Sequence, residues 1–397
     1  MKPDTEAAIS AEIDASREQG GQIHVPTPLG DAPVSRQPYV DVNHYRKEME
    51  RVFWRAWVSV ARIADLPEPG SYITFSIERA RIVVTRDLDG VLHAFHNSCR
   101  HRGTELVAAD RGCAKVLSCP YHRWVYGLDG TLQSVPEPRS HAPDFDIANI
   151  RLKPVAVDTA WGWLWVNLGD QSSDLGEYLG DNLMDELENW ALPTVARHSR
   201  TTVEGQFGWK VAVEGFLEAF HVPFVHRRTV SPVVNHKKGT MAWWGDHSRM
   251  VNEMRDPKIF EPDGFLGRPA AAAGVEMFPR LNSTQRSANF VYHVFPNMIF
   301  NLLPTHFTVL QMWPLGVSRT RMTLDTFGAE PTTHAQRDYM ASVHQSHEHV
   351  LSEDKDVFEA VQRGLDSTDA SDLIFCHHDR RIRNFHHRLQ AWVNESA

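Results

Sequence analysis

Cysteine is scarce in this chain, with four in 397 residues. So few cannot form a disulfide framework, and the usage fits a reducing cytoplasm. Basic charge is short as well. The 41 Lys and Arg stand against 50 Asp and Glu, a formal net charge of −9 that argues against a nucleic-acid partner. No apolar run is long enough to cross a bilayer. The most apolar region, 290–304, is interrupted by His293, Pro296, Asn297 and Asn301, so no membrane association is expected. The acidic opening "MKPDTEAAISAEIDASREQG" lacks the apolar core of a secretory signal. Internal repeats and long low-complexity segments are missing too. So is a G-x-G-x-x-G fingerprint, which means a nicotinamide cofactor would have to be handled by another polypeptide.

A chain of this length, 42% hydrophobic and 23% charged, can bury a large core, and two domains are expected. Residues 1–40 read as an arm that packs late or on a partner. Residues 42–54 read as a helix with Tyr45, Met49 and Phe53 on one face. From about 57 to 168 the chain turns into short β-runs: "SYITFSI", "RIVVTRD", "VLHAFHN", "KVLSC" and "WGWLWVNLG". Asp89-Gly90 and Asp129-Gly130 sit between such runs as hairpin signals. Beyond 170, "EYLGDNLMDELENW", residues 334–364 and "RIRNFHHRLQAWV" are helical by period. "NFVYHVF", "MIFNLLP", "FTVLQMWPL" and "TRMTLDTF" read as successive antiparallel strands, and "AAAAG" at 270–274 as a loop or short turn. The expected fold is α+β. It comprises an arm and helix over 1–54, an all-β module over 55–168, and a curved antiparallel sheet with helices on it over 169–397.

The all-β module carries Cys99-x-His101 and Cys119-x2-His122. A structural zinc site usually pairs like with like, Cys with Cys and His with His. Mixed pairs suit a [2Fe–2S] cluster of the Rieske type, in which each loop gives one thiolate to one iron and one imidazole to the other. Imidazole ligation raises the potential to roughly −150 to +300 mV. Gly103 allows a tight loop, Pro120 stiffens the second loop, and Trp124 and Tyr126 can shield the cluster. A second constellation is Glu218-x2-His221-x4-His226. Glu218 and His221 would share a helix face. His221 and His226 would lie roughly 140° apart on a straight helix, so Pro223 must disturb it if both are to face one ion. Two His and one carboxylate leave open positions on Fe(II) for dioxygen. "SEDKDVFEAVQRGL" offers Glu353, Asp354 and Asp356 as acids at the head of a helix, a position that the helix dipole alone would also explain.

"CRHRG…CPYHRWVYGLDG" resembles the Rieske module of the α subunits of ring-hydroxylating, non-haem iron oxygenases, and the likeness extends over residues 40 to 395, including "FPN" at 295–297 and "FHHRL". The resemblance implies a helix-grip, START-like catalytic domain with His221, His226 and Asp354 on the mononuclear iron. It also implies that Glu218 bridges His221 to the cluster His of a neighbouring subunit, which His122 matches. Most family members carry Asp at the Glu218 position. Glu occurs in relatives acting on quaternary ammonium compounds. Gly208 stands where Asn is usual before Trp-Lys. The family further implies dioxygen as co-substrate and NAD(P)H electrons from a separate reductase, directly or through a ferredoxin. An α3 or α3β3 assembly goes with it.

Substrate contacts are expected among Phe216, Phe220, Phe224, Trp243, Trp244, Phe290, Phe295, Ile299 and Phe307, although a sheet of this size needs most of them as core. Their abundance favours an apolar, aromatic small-molecule substrate that is hydroxylated or dihydroxylated. The same rings could cage an ammonium group, which keeps N-demethylation or monooxygenation of a betaine-like compound as the alternative. A Rieske electron carrier without oxygenation is the alternative from another class. Cys113 and Cys376 read as incidental.

Overall fold

The computed structural model describes residues 1–18, 29–170 and 173–395; part of the N-terminal arm, 19–28, lies outside the described residues. The chain divides into two compact units. One is Phe53–Tyr178, and the other joins Met1–Val52 to Leu179–Ala397.

The smaller unit is built on a seven-stranded antiparallel sheet. Its spatial order is Val58–Arg62, Trp163–Asn167, Pro154–Ala160, Leu92–His96, Ala80–Arg86, Ser71–Ile77 and Arg111–Cys113. A three-stranded sheet, Leu117–Ser118, Val125–Tyr126 and Leu132–Ser134, accompanies it. Both Asp-Gly pairs make the expected turns, with Gly90 and Gly130 at φ 86° and 81°. Gly130 is required for a second reason: a Cβ there would stand 2.4 Å from the Phe95 ring. Val83, Phe95, Leu106, Leu117, Tyr126 and Leu152 form a core that also contains Cys99 and Cys119.

The larger unit carries a seven-stranded antiparallel sheet ordered Ala196–Gly205, Arg319–Gly328, Phe307–Gly316, Met298–Leu302, Ala288–Val294, His247–Met254 and Val234–Trp244. A 32-residue helix, His334–Leu365, packs on its first two strands. A capping box between Thr333 and Gln336 starts that helix. The C-terminal helix Arg380–Asn394 packs against the Val234–Trp244 strand. The N-terminal arm is more ordered than its composition suggests. Pro3–Glu18 is a helix that buries Ile9 and Ile13 against the same strand and is held by Glu12 to Arg249 (2.8 Å). The 42–54 stretch forms Val42–Glu48 and a π-helical turn, Met49–Phe53, burying Tyr45, Met49 and Phe53. "AAAAG" closes a short helix, Gly267–Ala272, and is not a plain loop.

The 208–226 stretch departs from the expected bent helix. It folds as two short helices, Trp209–Glu214 and Val222–Val225, separated by a non-helical turn. Pro223 stands in the first turn of the second helix, where its missing N–H costs nothing. Gly208 caps the first. Its N–H donates to Gln362 Oε1 (2.9 Å), and a Cβ there would press on the Val317 carbonyl at 2.8 Å. Trp209 and Lys210 reach back to the fully buried Glu48. Trp209 Nε1 donates at 2.9 Å, and Lys210 Nζ at 2.6 and 2.7 Å. Arg381 is wholly buried. Its guanidinium reaches Ser248, the Val291 carbonyl and, at 3.4 Å, the carbonyls of Phe216 and Leu217 in the turn. Burial pushes its pKa down to about 9.

Candidate metal centres

In the smaller unit each Cys loop turns back on its own cysteine. Gly103 N donates to the Cys99 carbonyl (2.9 Å) and Arg123 N to that of Cys119 (3.1 Å); both turning residues have positive φ, 75° and 56°. The two thiols are buried, unbridged and in contact with one another. Burial pushes both up, but the backbone N–H groups of His122 and Tyr121 outweigh it at Cys119 and hold that thiol below its ordinary value. The Tyr126 hydroxyl lies 3.3 Å from Cys99 Sγ and accepts from Arg100 N. The rings of His101 and His122 meet edge to face, 4.6 Å apart, and Trp124 stacks on His101 at 4.9 Å. Among the described residues, no hydrogen-bond partner meets the buried His122 Nδ1. A sulfur pair beside an imidazole pair, with one buried nitrogen lone pair unclaimed, fits a cluster with a thiolate end and an imidazole end. Among the described residues, these four do not bring their ligand atoms within 4.8 Å of one another, which is unlike a single tetrahedral zinc.

In the larger unit His221, His226 and Asp354 each offer one ligand atom, all within 4.8 Å of one another. Asp354 Oδ1 stands 2.8 Å from His226 Nε2 and 3.8 Å from His221 Nε2. The far side of each ring is held by a second carboxylate. His221 Nδ1 bonds Glu218 Oε1, and His226 Nδ1 bonds Glu353 Oε2 at 2.8 Å, which also accepts from Thr229 Oγ1. Burial pulls both imidazoles down in pKa, but the adjoining carboxylates outweigh it and hold them above the ordinary value. The pocket therefore attracts a cation, and its donors are the two nitrogens and one oxygen that an iron face requires.

Three features differ from the sequence reading. Glu218 and His221 do not share a helix face; the Glu218 carboxylate meets His221 across the turn, also accepting from the amides of Phe220 and His221. Asp354 is not at a helix head. It lies twenty residues after His334, where a terminal dipole has no reach, and it is buried while Asp356 is exposed. Glu353, present in the sequence only as one acid among three, orients His226. Its adjacency to Asp354 hid it, because neighbours on a helix point about 100° apart and a single ion would not need both.

Of the cavities in this unit, two border the elements that carry the iron ligands. One of about 150 Å³ is lined by Glu218, His221 and Asp354 together with Val225, Val357 and Phe358. The other, about 330 Å³, runs along the long helix past Tyr339, Val343, His347 and Val350, the last being one turn before Asp354. None of the nine expected contact residues lines either cavity. Phe290, Phe295, Ile299 and Phe307 are wholly buried in the sheet core, where large apolar strand residues end up. Trp243 and Trp244 are half-buried on the last strand. Phe216 packs on Phe358, while Phe220 and Phe224 are 41% and 68% exposed.

Fold and centres together define a two-centre iron oxygenase, and comparison with known proteins gives the family. The ring-hydroxylating α-subunit catalytic-domain model matches residues 192–395, and the Rieske [2Fe–2S] domain model matches 56–153. The chain belongs to the ring-hydroxylating α-subunit family. It is 27% identical to the glycine betaine monooxygenase oxygenase subunit of Chromohalobacter salexigens, across 91% of this chain and 83% of that one. Choline monooxygenase of Beta vulgaris is 26% identical across 90% and 75%. Naphthalene 1,2-dioxygenase with indole bound shares the fold, with a TM-score of 0.75 at 19% identity over 93% and 95% of the two chains. The protein is thus the oxygenase component of a Rieske non-haem iron enzyme. It uses a [2Fe–2S] cluster, a mononuclear iron, dioxygen, and NAD(P)H electrons from a separate reductase. Family members form oligomers. No described helix is long and apolar enough to cross a membrane.

Proposed function

We propose that Cys99, His101, Cys119 and His122 hold the cluster, that His221, His226 and Asp354 hold the mononuclear iron, and that the chain is the terminal monooxygenase acting on a small quaternary ammonium compound. The observation that carries this reading is the convergence of both Nε2 atoms on Asp354 while both Nδ1 atoms are tied to carboxylates. A carboxylate that accepts from Nδ1–H keeps the proton on that nitrogen and turns the Nε2 lone pair inward. Glu218 and Glu353 do this for the two rings. When bound, the iron supplies dioxygen activation and the cluster supplies electrons one at a time.

The path into the iron runs through Glu218 and His221. Glu218 sits in a depression whose lining includes the exposed Val357 and Val361. On the smaller unit His122 is partly exposed, between exposed Tyr121 and Arg123. Both ends of the relay are therefore at surfaces, as a homotrimer (α3 or α3β3) with electrons crossing between copies requires. A reductase, directly or through a ferredoxin, completes the reading, and cysteines that form no disulfide suit the cytoplasm.

Glycine betaine and choline are what two relatives act on, and Glu at position 218 points the same way. An uncharged aromatic substrate is the second reading. It is favoured by the larger cavity, where no described lining residue is Asp, Glu, Lys or Arg. The test is iron counting followed by turnover with a surrogate reductase. About three irons per chain are expected, with oxygen uptake matched to product for glycine betaine or choline and not for naphthalene or benzoate. Two irons, or none, sinks the assignment of the second centre. Coupled turnover of the aromatic set alone transfers the substrate class to the second reading.

A further inference from the structure

The larger cavity is walled on one side by a single face of the long helix: Tyr339, Val343, Ser346, His347 and Val350, at spacings of four, three, one and three. Asp354 continues this face. His347 precedes it by two turns, about 10 Å along the axis. The opposite wall is supplied by Asn289, Asn301 and the Thr305-His306 corner, so the space is long, mostly apolar and uncharged.

His347 has a fixed tautomer. Its Nδ1 lies 2.9 Å from the Val343 carbonyl, a group that only accepts, so Nδ1 carries the hydrogen and Nε2 is a bare lone pair. No described residue donates to Nε2. Burial, and then the charge of His344, lower the pKa of the ring, which keeps it neutral. The nearest ring in the wall, His306, is 5.5 Å away edge to face; it too is neutral, pushed down to about 3 by burial, with Nδ1 3.0 Å from Thr305 Oγ1. Nε2 is thus an open acceptor on a ring that lines a largely apolar cavity, where a donor on a bound molecule would find a partner.

We propose that His347 Nε2 accepts a hydrogen bond from a hydroxyl or N–H group of the substrate and thereby sets which end of the molecule faces His221, His226 and Asp354. The inference refines the substrate of the reading above, and its chemical requirement is a small molecule with a donor at one end and an apolar or methyl-bearing end to be oxidised. Glycine betaine, having no donor, would be a poor ligand by this criterion; choline, having a hydroxyl, would be a good one.

Isothermal titration of the iron-loaded holoenzyme without oxygen tests it, with two pairs of probes that differ by one hydroxyl: choline against ethyltrimethylammonium, and benzyl alcohol against toluene. In at least one pair the hydroxyl compound is expected to bind roughly tenfold more tightly. That preference should vanish in His347→Leu and persist in His347→Gln, which keeps an acceptor, with iron content and cluster absorption unchanged in both. If only the benzyl alcohol pair shows it, His347 stands and the quaternary ammonium reading falls. An equal preference in His347→Leu, no hydroxyl preference in either pair, or no binding of any probe overturns the proposal.

Discussion

Glu218 and Glu353 make the same kind of bond to equivalent nitrogens, yet they face different tasks. Glu353 is backed by Thr229 and grips a ring that is 2% exposed, so its task is to aim His226. Glu218 lines a surface depression and grips the more open ring. Glu353→Ala should therefore lower iron affinity by about 10–100-fold, read as iron lost on dialysis. Glu218→Gln should keep its iron and its cluster while NADH-driven turnover collapses. Normal turnover of that variant would remove Glu218 from the electron path. At this scale the sequence was only partly legible. The Cys and His pairs announce themselves by spacing, but Asp354 needed the family likeness, since three acids within four residues look alike until a backbone decides which one is buried. The aromatic residues misled, because a cavity is defined by where packing stops, which composition does not report.

Between elements, the junction of Val42–Glu48 with Trp209–Glu214 is the feature with the clearest energetic consequence. Burial pushes the Glu48 carboxyl up, but Lys210, His44 and Trp209 together outweigh it and hold it below its ordinary range. A carboxyl lowered on folding adds stability that is complete above the unfolded value and is lost as pH falls through the folded one. Glu48→Gln leaves the Lys210 charge buried without its counter-charge, a loss of about 3–5 kcal/mol. Denaturant titrations of both proteins should show that gap at neutral pH and its closure in acid. An unchanged gap at low pH would mean that the carboxylate is not its source. Periodicity found the long helices and four sheet strands. It missed the break in 208–226, because Gly215 and the Glu218 turn carry no strong period of either kind, and Pro223 reads equally well as a kink or a start.

At the scale of the whole molecule, the two-unit organisation follows the change in pattern near residues 55 and 170, where short β-runs begin and end. The assembly is not readable from one chain's periodicity. It can be tested by mixing. Chains carrying Cys99→Ser, which spoils the cluster, and chains carrying His226→Ala, which spoils the iron site, should each be inactive alone. Co-expressed, they should regain activity if electrons cross between copies, reaching a modest fraction of wild type. No recovery would place the relay within one chain.

The interior arginine has a further consequence. Arg381 ties the helix Arg380–Asn394 to the carbonyls of Phe216 and Leu217, within the turn that presents Glu218 and His221. Its hydrogen-bond partners among the described residues are a hydroxyl and carbonyls, and the C-terminal helix works as a latch on the iron-binding turn. Clipping the chain before Arg380 would release that turn and silence the oxygenase, while the cluster in the other unit would still accept electrons.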